Sequence, residues 1–219
     1  MRKYVVDAKP FAFDFDLEKT ALLIIDMQRD FCARGGFGEA LGNDVTPTMS
    51  IIPVVKKILE AARAKGMFII HTREGHRADM SDCPPAKLRR SKAIGENGPM
   101  GRILIRGEVG HDIVEELRPL VGEPIIDKPG KGSFYKTDLE LILQNKGIES
   151  LIVCGVTTHV CVHTTIREAN DRGYECLMME DGTAAFDPAD QEAAIRMIHQ
   201  QGGIFGWTTT SDDLLDVIK

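Results

Sequence analysis

The chain has 219 residues, 43% of them hydrophobic and 6% aromatic, a globular composition that sets aside disordered and fibrous classes. Its 27 Lys and Arg against 33 Asp and Glu give a net charge of −6, the wrong sign for a polyanion-binding surface, so no nucleic-acid partner is expected. No apolar run reaches the roughly 20 residues of a membrane span, and the opening MRKYVVDAKPFAFDFD lacks a signal peptide's apolar core, so a cytoplasmic protein with no membrane partner is expected.

Short apolar runs follow one another along the chain: ALLIID (21–26), MFIIHT (67–72), PIIDK (124–128), SLIVCG (150–155) and ECLMME (175–180). Runs of this length without polar alternation read as parallel strands buried on both faces. Between them lie helices with start signals. Thr137-Asp138-Leu139-Glu140 reads as a capping box ahead of LELILQNKG, and Asp187-Pro188 as an N-cap with proline in the first turn. Gly66, Gly147 and Gly173 mark helix ends. Strand and helix alternating with short connections predict an α/β fold, a Rossmann-like open, mostly parallel sheet of about six strands with helices on both faces. No repeat or Pro- and Ser-rich linker divides the chain, so residues 1–219 are expected to form a single domain.

Residues 73–110 break the rhythm, with Pro84, Pro85, Gly95, Gly98, Pro99, Gly101, Gly107 and Gly110. Long loops in compact domains often serve as lids, and a solvated insertion or an oligomer contact fits this stretch equally well. The five cysteines, at 32, 83, 154, 161 and 176, are odd in number and lack CxxC spacing, which argues against a disulfide framework or zinc ribbon.

In an open parallel sheet ligands bind beyond the carboxyl ends of the strands. Three residues stand there: Asp26 closing ALLIID, Lys128 closing PIIDK, and Cys161 in the first turn after SLIVCG. Each alone has a plain explanation, as a helix cap, a snorkelling lysine or a small buried side chain, and Cys154 and Cys176 read as buried strand residues. Cys32 and Cys83 lack the helix-start setting of Cys161. Together the three form a proton acceptor, a cation and a nucleophile whose thiolate a helix start and a lysine favour. No GxGxxG, P-loop or GxSxG is present, since Gly130-Lys131-Gly132 is followed by Tyr135 where a third glycine belongs.

The ordered set IIDMQ-DF, a strand ending in lysine, then GVTT-VC resembles the cysteine hydrolases of the isochorismatase-like superfamily over about residues 10–215. HTREGHR, RILIRGE, IIDKPGKGSF, TDLEL, TIREANDRGYEC and QGG-FG look most like its biuret and triuret hydrolases. The resemblance implies the isochorismatase-like hydrolase fold, with Cys161 as nucleophile, Asp26 as proton acceptor and Lys128 as supporting cation. It further implies a cis peptide between Val156 and Thr157, and an oxyanion hole from the N–H groups of Thr157 and Cys161. Phe31 and Gln201 match substrate-lining positions, and Lys131 reads as a polar contact. The expected reaction releases ammonia from biuret or triuret through a thioester, leaving allophanate or carboxybiuret. The alternatives are ureidoacrylate or other N-carbamoyl amide hydrolysis, or a catalytically silent binding module. No cofactor and no metal are expected: the aspartate of the metal-binding nicotinamidase pattern is absent, and His71 and His76 read as polar loop residues. The resemblance also implies a homo-oligomer, a tetramer being favoured, with 73–110 and IFGWTTTSDDLLDVI available for contacts.

Overall fold

A computed structural model describes residues 3–219. In chain order the strands are β1 (Lys3–Val6), β2 (Phe13–Asp16), β3 (Thr20–Ile25), β4 (Phe68–Glu74), β5 (Asn97–Gly98), β6 (Gly101–Arg102), β7 (Ile125–Lys128), β8 (Ser150–Val156), β9 (Glu175–Ala184) and β10 (Trp207–Thr209). Six of them form one parallel sheet in the order β10-β9-β8-β3-β4-β7. β1 pairs antiparallel with β2, and β5 with β6.

The helices are α1 (Arg29–Cys32), α2 (Phe37–Ala40), α3 (Thr46–Ser50), α4 (Ile52–Lys65), α5 (Pro85–Arg90), α6 (Leu139–Asn145), α7 (His163–Asn170), α8 (Pro188–Gly203) and α9 (Ser211–Ile218). Alternate residues of the central strands serve opposite faces. Leu22, Ile24 and Ile152 pack with Val55, Ile58 and Leu59 of α4 and Leu214 of α9. Leu23, Ile25 and Val153 pack with Leu143 of α6, Ile166 of α7 and Ile198 of α8. β3 and β8 are buried along their whole length, which is why they carry unbroken apolar sequence. None of the helices among the described residues is long and apolar enough to cross a membrane.

The helix signals act as written in two places. The Asp187 side chain accepts from the Ala189 N–H at 2.7 Å, and Gly66 ends α4 at φ 71°. The capping box does not form: Thr137 Oγ1 accepts from the Leu139 N–H at 3.3 Å, while Glu140 turns away to Arg172.

Strand lengths and the last strand differ from expectation. β4 runs on to Glu74 and β9 to Ala184, and the sixth strand is Trp207–Thr209, a polar stretch with no apolar pattern of its own. Residues 73–110 are a packed excursion, with Ile94, Ile103, Leu104 and Ile105 buried. The C-terminal segment, anticipated as an oligomer contact, supplies β10 and α9 and places Leu214, Leu215 and Ile218 in the chain's own core.

Candidate active site

β3 lies between β8 and β4, and β4 lies beside β7, so the carboxyl ends of these strands meet at one edge of the sheet. Asp26 follows β3 with φ 51°, a left-handed conformation that aspartate tolerates better than most residues. Its Oδ1 accepts from the Thr72 hydroxyl at 2.7 Å, and its Oδ2 lies 2.7 Å from Lys128 Nζ at the end of β7. Glu74 ends β4, and its Oε2 is 3.8 Å from the same ammonium. Asp26, Glu74 and Lys128 are all fully buried. Gln28, of the IIDMQ motif, clasps the β4 end to the turn after β3: its Oε1 accepts from the Glu74 N–H at 2.7 Å, and its Nε2 donates to the Glu74 and His111 carbonyls at 3.0 Å.

Cys161 arrives from the far side of β3. At Gly155, φ 115°, β8 approaches β3 so closely that a Cβ would overlap the Ile25 carbonyl. The Val156–Thr157 peptide is cis. From Thr158 to Val162 the chain makes a turn of π-helix that leads into α7, a local widening common where helices carry function. The Cys161 sulfur donates to Glu74 Oε2 at 3.4 Å, and the ligand atoms of Asp26, Glu74 and Cys161 lie within 4.8 Å of one another. Two carboxylates and a thiol at that spacing are a donor set for a divalent cation, yet the Lys128 ammonium stands between them and supplies the positive charge itself.

Charge is concentrated here out of water. Burial works against the Lys128 charge, but Asp26, Cys161 and Glu74 outweigh it and hold its pKa above that of an ordinary lysine. Burial likewise disfavours the Glu74 carboxylate, and Lys128, Lys131 and Lys87 reverse the balance and bring it down to about 2. Burial pushes the Cys161 thiol well above its usual range despite Lys128, so the resting sulfur keeps its proton and is the donor towards Glu74.

The isochorismatase domain family matches residues 20–213, a span that contains every group of this cluster. The chain belongs to the isochorismatase family. Similar relatives are the ureidoacrylate amidohydrolases RutB of Pantoea ananatis, 32% identical over 98% of this chain and 88% of that protein, and of Serratia proteamaculans, 30% identical over 96% and 87%. Among solved structures, a cysteine hydrolase from Pseudomonas syringae pv. phaseolicola 1448A superposes with a TM-score of 0.82 at 29% identity, covering 100% of this chain and 98% of that one. The six-stranded parallel sheet with helices on both faces is thus the family's hydrolase fold.

Within this family member the other anticipated residues fare unequally. Lys131 reaches the cluster, donating to Glu74 Oε1 at 2.8 Å with its ammonium 5.9 Å from the Phe37 ring. Phe31 is buried and packs edge-on against Phe37, the ring that lies under the Lys131 ammonium. Gln201 is not brought to the site. It is exposed at the end of α8, which runs from the carboxyl end of β9 back to the start of β10, on the opposite edge of the sheet from Cys161.

The histidines read as polar loop residues are both fully buried. His71 lies within β4 with its Nε2 3.1 Å from Glu123, and His76 lies between Asp82 and Lys87. Glu74 and Lys87 carry no mark in the sequence reading. The available signal for Glu74 was its place as an acid at the end of a buried strand, the same that marks Asp26.

A cavity of about 620 Å³ lies beside the cluster. Lys87 and Lys131 wall it and at the same time bond Glu74 Oε1, at 2.7 and 2.8 Å, so one residue separates the cavity from the Cys161 sulfur. Arg77, Arg90, Arg106 and Lys136 add four more cations to the lining, against Asp82 and Asp127. Both acids are engaged, Asp82 by Arg106 at 3.2 Å and Asp127 by Arg73 at 2.7 Å.

Proposed function

We propose that this protein is a cysteine-dependent amidohydrolase acting on a small N-carbamoyl compound that carries a carboxylate, a substrate of the ureidoacrylate class. The observation that carries the reading is the excess of cations in the cavity walled by Lys87 and Lys131, the two lysines that bond Glu74, which favours an anionic ureide over neutral biuret or triuret. The names borne by the relatives from Pantoea and Serratia support it. The buried Asp26, Lys128 and Cys161 cluster weighs against a silent binding module, because burying three ionisable groups together costs stability and such costly clusters concentrate at functional sites.

In this mechanism Asp26 takes the thiol proton as the Cys161 sulfur attacks the carbamoyl carbon, and the N–H groups of Thr157 and Cys161 hold the oxyanion. Glu74, shared among three lysines, keeps its charge too firmly to serve as the acceptor and orients the thiol instead. The C–N bond breaks, the leaving nitrogen regains the proton from Asp26, and an S-carbamoyl enzyme remains. Water, deprotonated by Asp26, then cleaves the C–S bond, giving a carbamate and restoring the thiol.

Ammonia release on ureidoacrylate, biuret, triuret and nicotinamide, at low and high salt and beside Cys161→Ser, tests the reading. The expected result is turnover of ureidoacrylate, lost in Cys161→Ser, with a KM that rises with ionic strength. Preferred turnover of biuret or triuret would restore the neutral-ureide reading, and turnover indifferent to Cys161 would overturn both.

A further inference from the structure

Glu74 is held in place from outside the sheet. The holding residue is Lys87, on α5 within the 73–110 excursion, a position separated from every strand end in sequence. Its ammonium donates to Glu74 Oε1 at 2.7 Å, to the Pro129 carbonyl at 2.8 Å and to His76 Nε2 at 2.9 Å. Three N–H groups meet three acceptors, so the ammonium has no donor left over. Because an ammonium only donates, His76 Nε2 must be the acceptor. Its proton then sits on Nδ1, which faces Asp82 Oδ1 at 3.2 Å. A continuous chain of polar contacts therefore runs from Asp82 through His76, Lys87 and Glu74 to the Cys161 sulfur.

We propose that Lys87 is a positioning residue for the nucleophile, acting through Glu74. Resting on the reading of Cys161 as nucleophile, it assigns to the 73–110 excursion the task of fixing the thiol's acceptor. The Lys131 ammonium bonds the same oxygen of Glu74 but makes no other hydrogen bond among the described residues, and its side chain is 38% exposed, against 12% for Lys87. Lys131 is thus free to meet substrate while Lys87 keeps Glu74 in register. The groups facing the thiol are Lys128 from β7, Asp26 just after β3, Glu74 from β4 and Lys131 from the loop after β7. Loss of Lys87 removes one cation behind this set and frees the carboxylate to rotate.

The test compares wild type with Lys87→Met and Lys87→Arg in two measurements: kcat and KM on the ureide that is turned over, and the pH profile of Cys161 alkylation by iodoacetamide, read on the Cys161 peptide by mass spectrometry. Lys87→Met is expected to lower kcat by roughly 10- to 100-fold with KM within about threefold, the cost of a misaligned reacting group. Its alkylation midpoint is expected to rise by about one pH unit through the lost cation. Lys87→Arg keeps the charge without the tetrahedral fit, so it should restore the midpoint and leave kcat between the two. Wild-type kcat and midpoint in Lys87→Met, or a rise in KM alone, would overturn the proposal. Should Lys87→Met lose its circular dichroism, Lys87→Gln is read in the same way. If wild type hydrolyses no ureide, the proposed function fails, while the alkylation profiles still decide the role of Lys87.

Discussion

Replacing Lys128 with methionine probes what holds the buried cluster together. The substitution keeps most of the side-chain volume and removes an ammonium that lies 2.7 Å from Asp26 and 3.8 Å from Glu74 and donates to the carbonyls of Gly130 and Lys131 at 3.0 and 2.8 Å. Glu74 would retain Lys87 and Lys131, but Asp26 would retain only the Thr72 hydroxyl. Removing one partner of a buried ion pair costs about 3–5 kcal/mol, because the remaining charge is left without compensation. For a chain of this size each kcal/mol moves Tm by roughly 2–4 °C, so a fall of about 6–20 °C is expected by calorimetry at neutral pH. The double variant Lys128→Met/Asp26→Asn removes the stranded charge and should recover at least half of that loss, a coupling a double-mutant cycle reads directly. A single variant within about 1 kcal/mol of wild type, or a second substitution that adds its own loss without recovery, would refute the reasoning.

Stability should fall steadily on acidification. Burial, with Arg73 beside His111 and Arg167 beside His163, holds both imidazoles down to about 4, and Glu74 and Glu123 are held at about 2, so each of these four groups binds more protons in the unfolded chain than in the folded one, while Asp30 and Glu175, whose carboxyls burial raises, act in the opposite sense. The histidine contribution is complete above the ordinary 6.5 and lost towards 4, and the carboxylate contribution is complete above 4.5 and lost towards 2. Urea midpoints measured from pH 8 to 3 should decrease throughout, and a maximum near pH 5 would contradict this assignment. Gly155→Ala should cost more than about 3 kcal/mol or abolish folding, since its positive φ and its approach to the Ile25 carbonyl leave no place for a methyl group; soluble expression with an unchanged melting curve would show that β8 can shift. Gln201→Ala should leave kcat/KM within about twofold, and a tenfold loss would mean that a second copy carries Gln201 to the site of the first.

The sequence by itself determined the sheet and the three groups that close its strands. The unbroken apolar runs ALLIID and SLIVCG are strands covered on both faces, and Asp26 and Lys128, which end ALLIID and PIIDK, then stand at the carboxyl edge with the turn that follows SLIVCG and bears Cys161. Trp207–Thr209 was not legible, because an edge strand with polar residues becomes a strand only when β9 offers it a partner. Glu74 hid behind a strand boundary two residues too early, and its meaning depends on Lys87 and Lys131, which reach it from 13 and 57 positions away in the chain. Gln201 shows the converse: a matching residue type in a matching order, carried by α8 to the far edge of the sheet. Local pattern decides which residues end a strand, whereas the company a buried charge keeps is set by loops folding back over the sheet, and tertiary structure alone decided it.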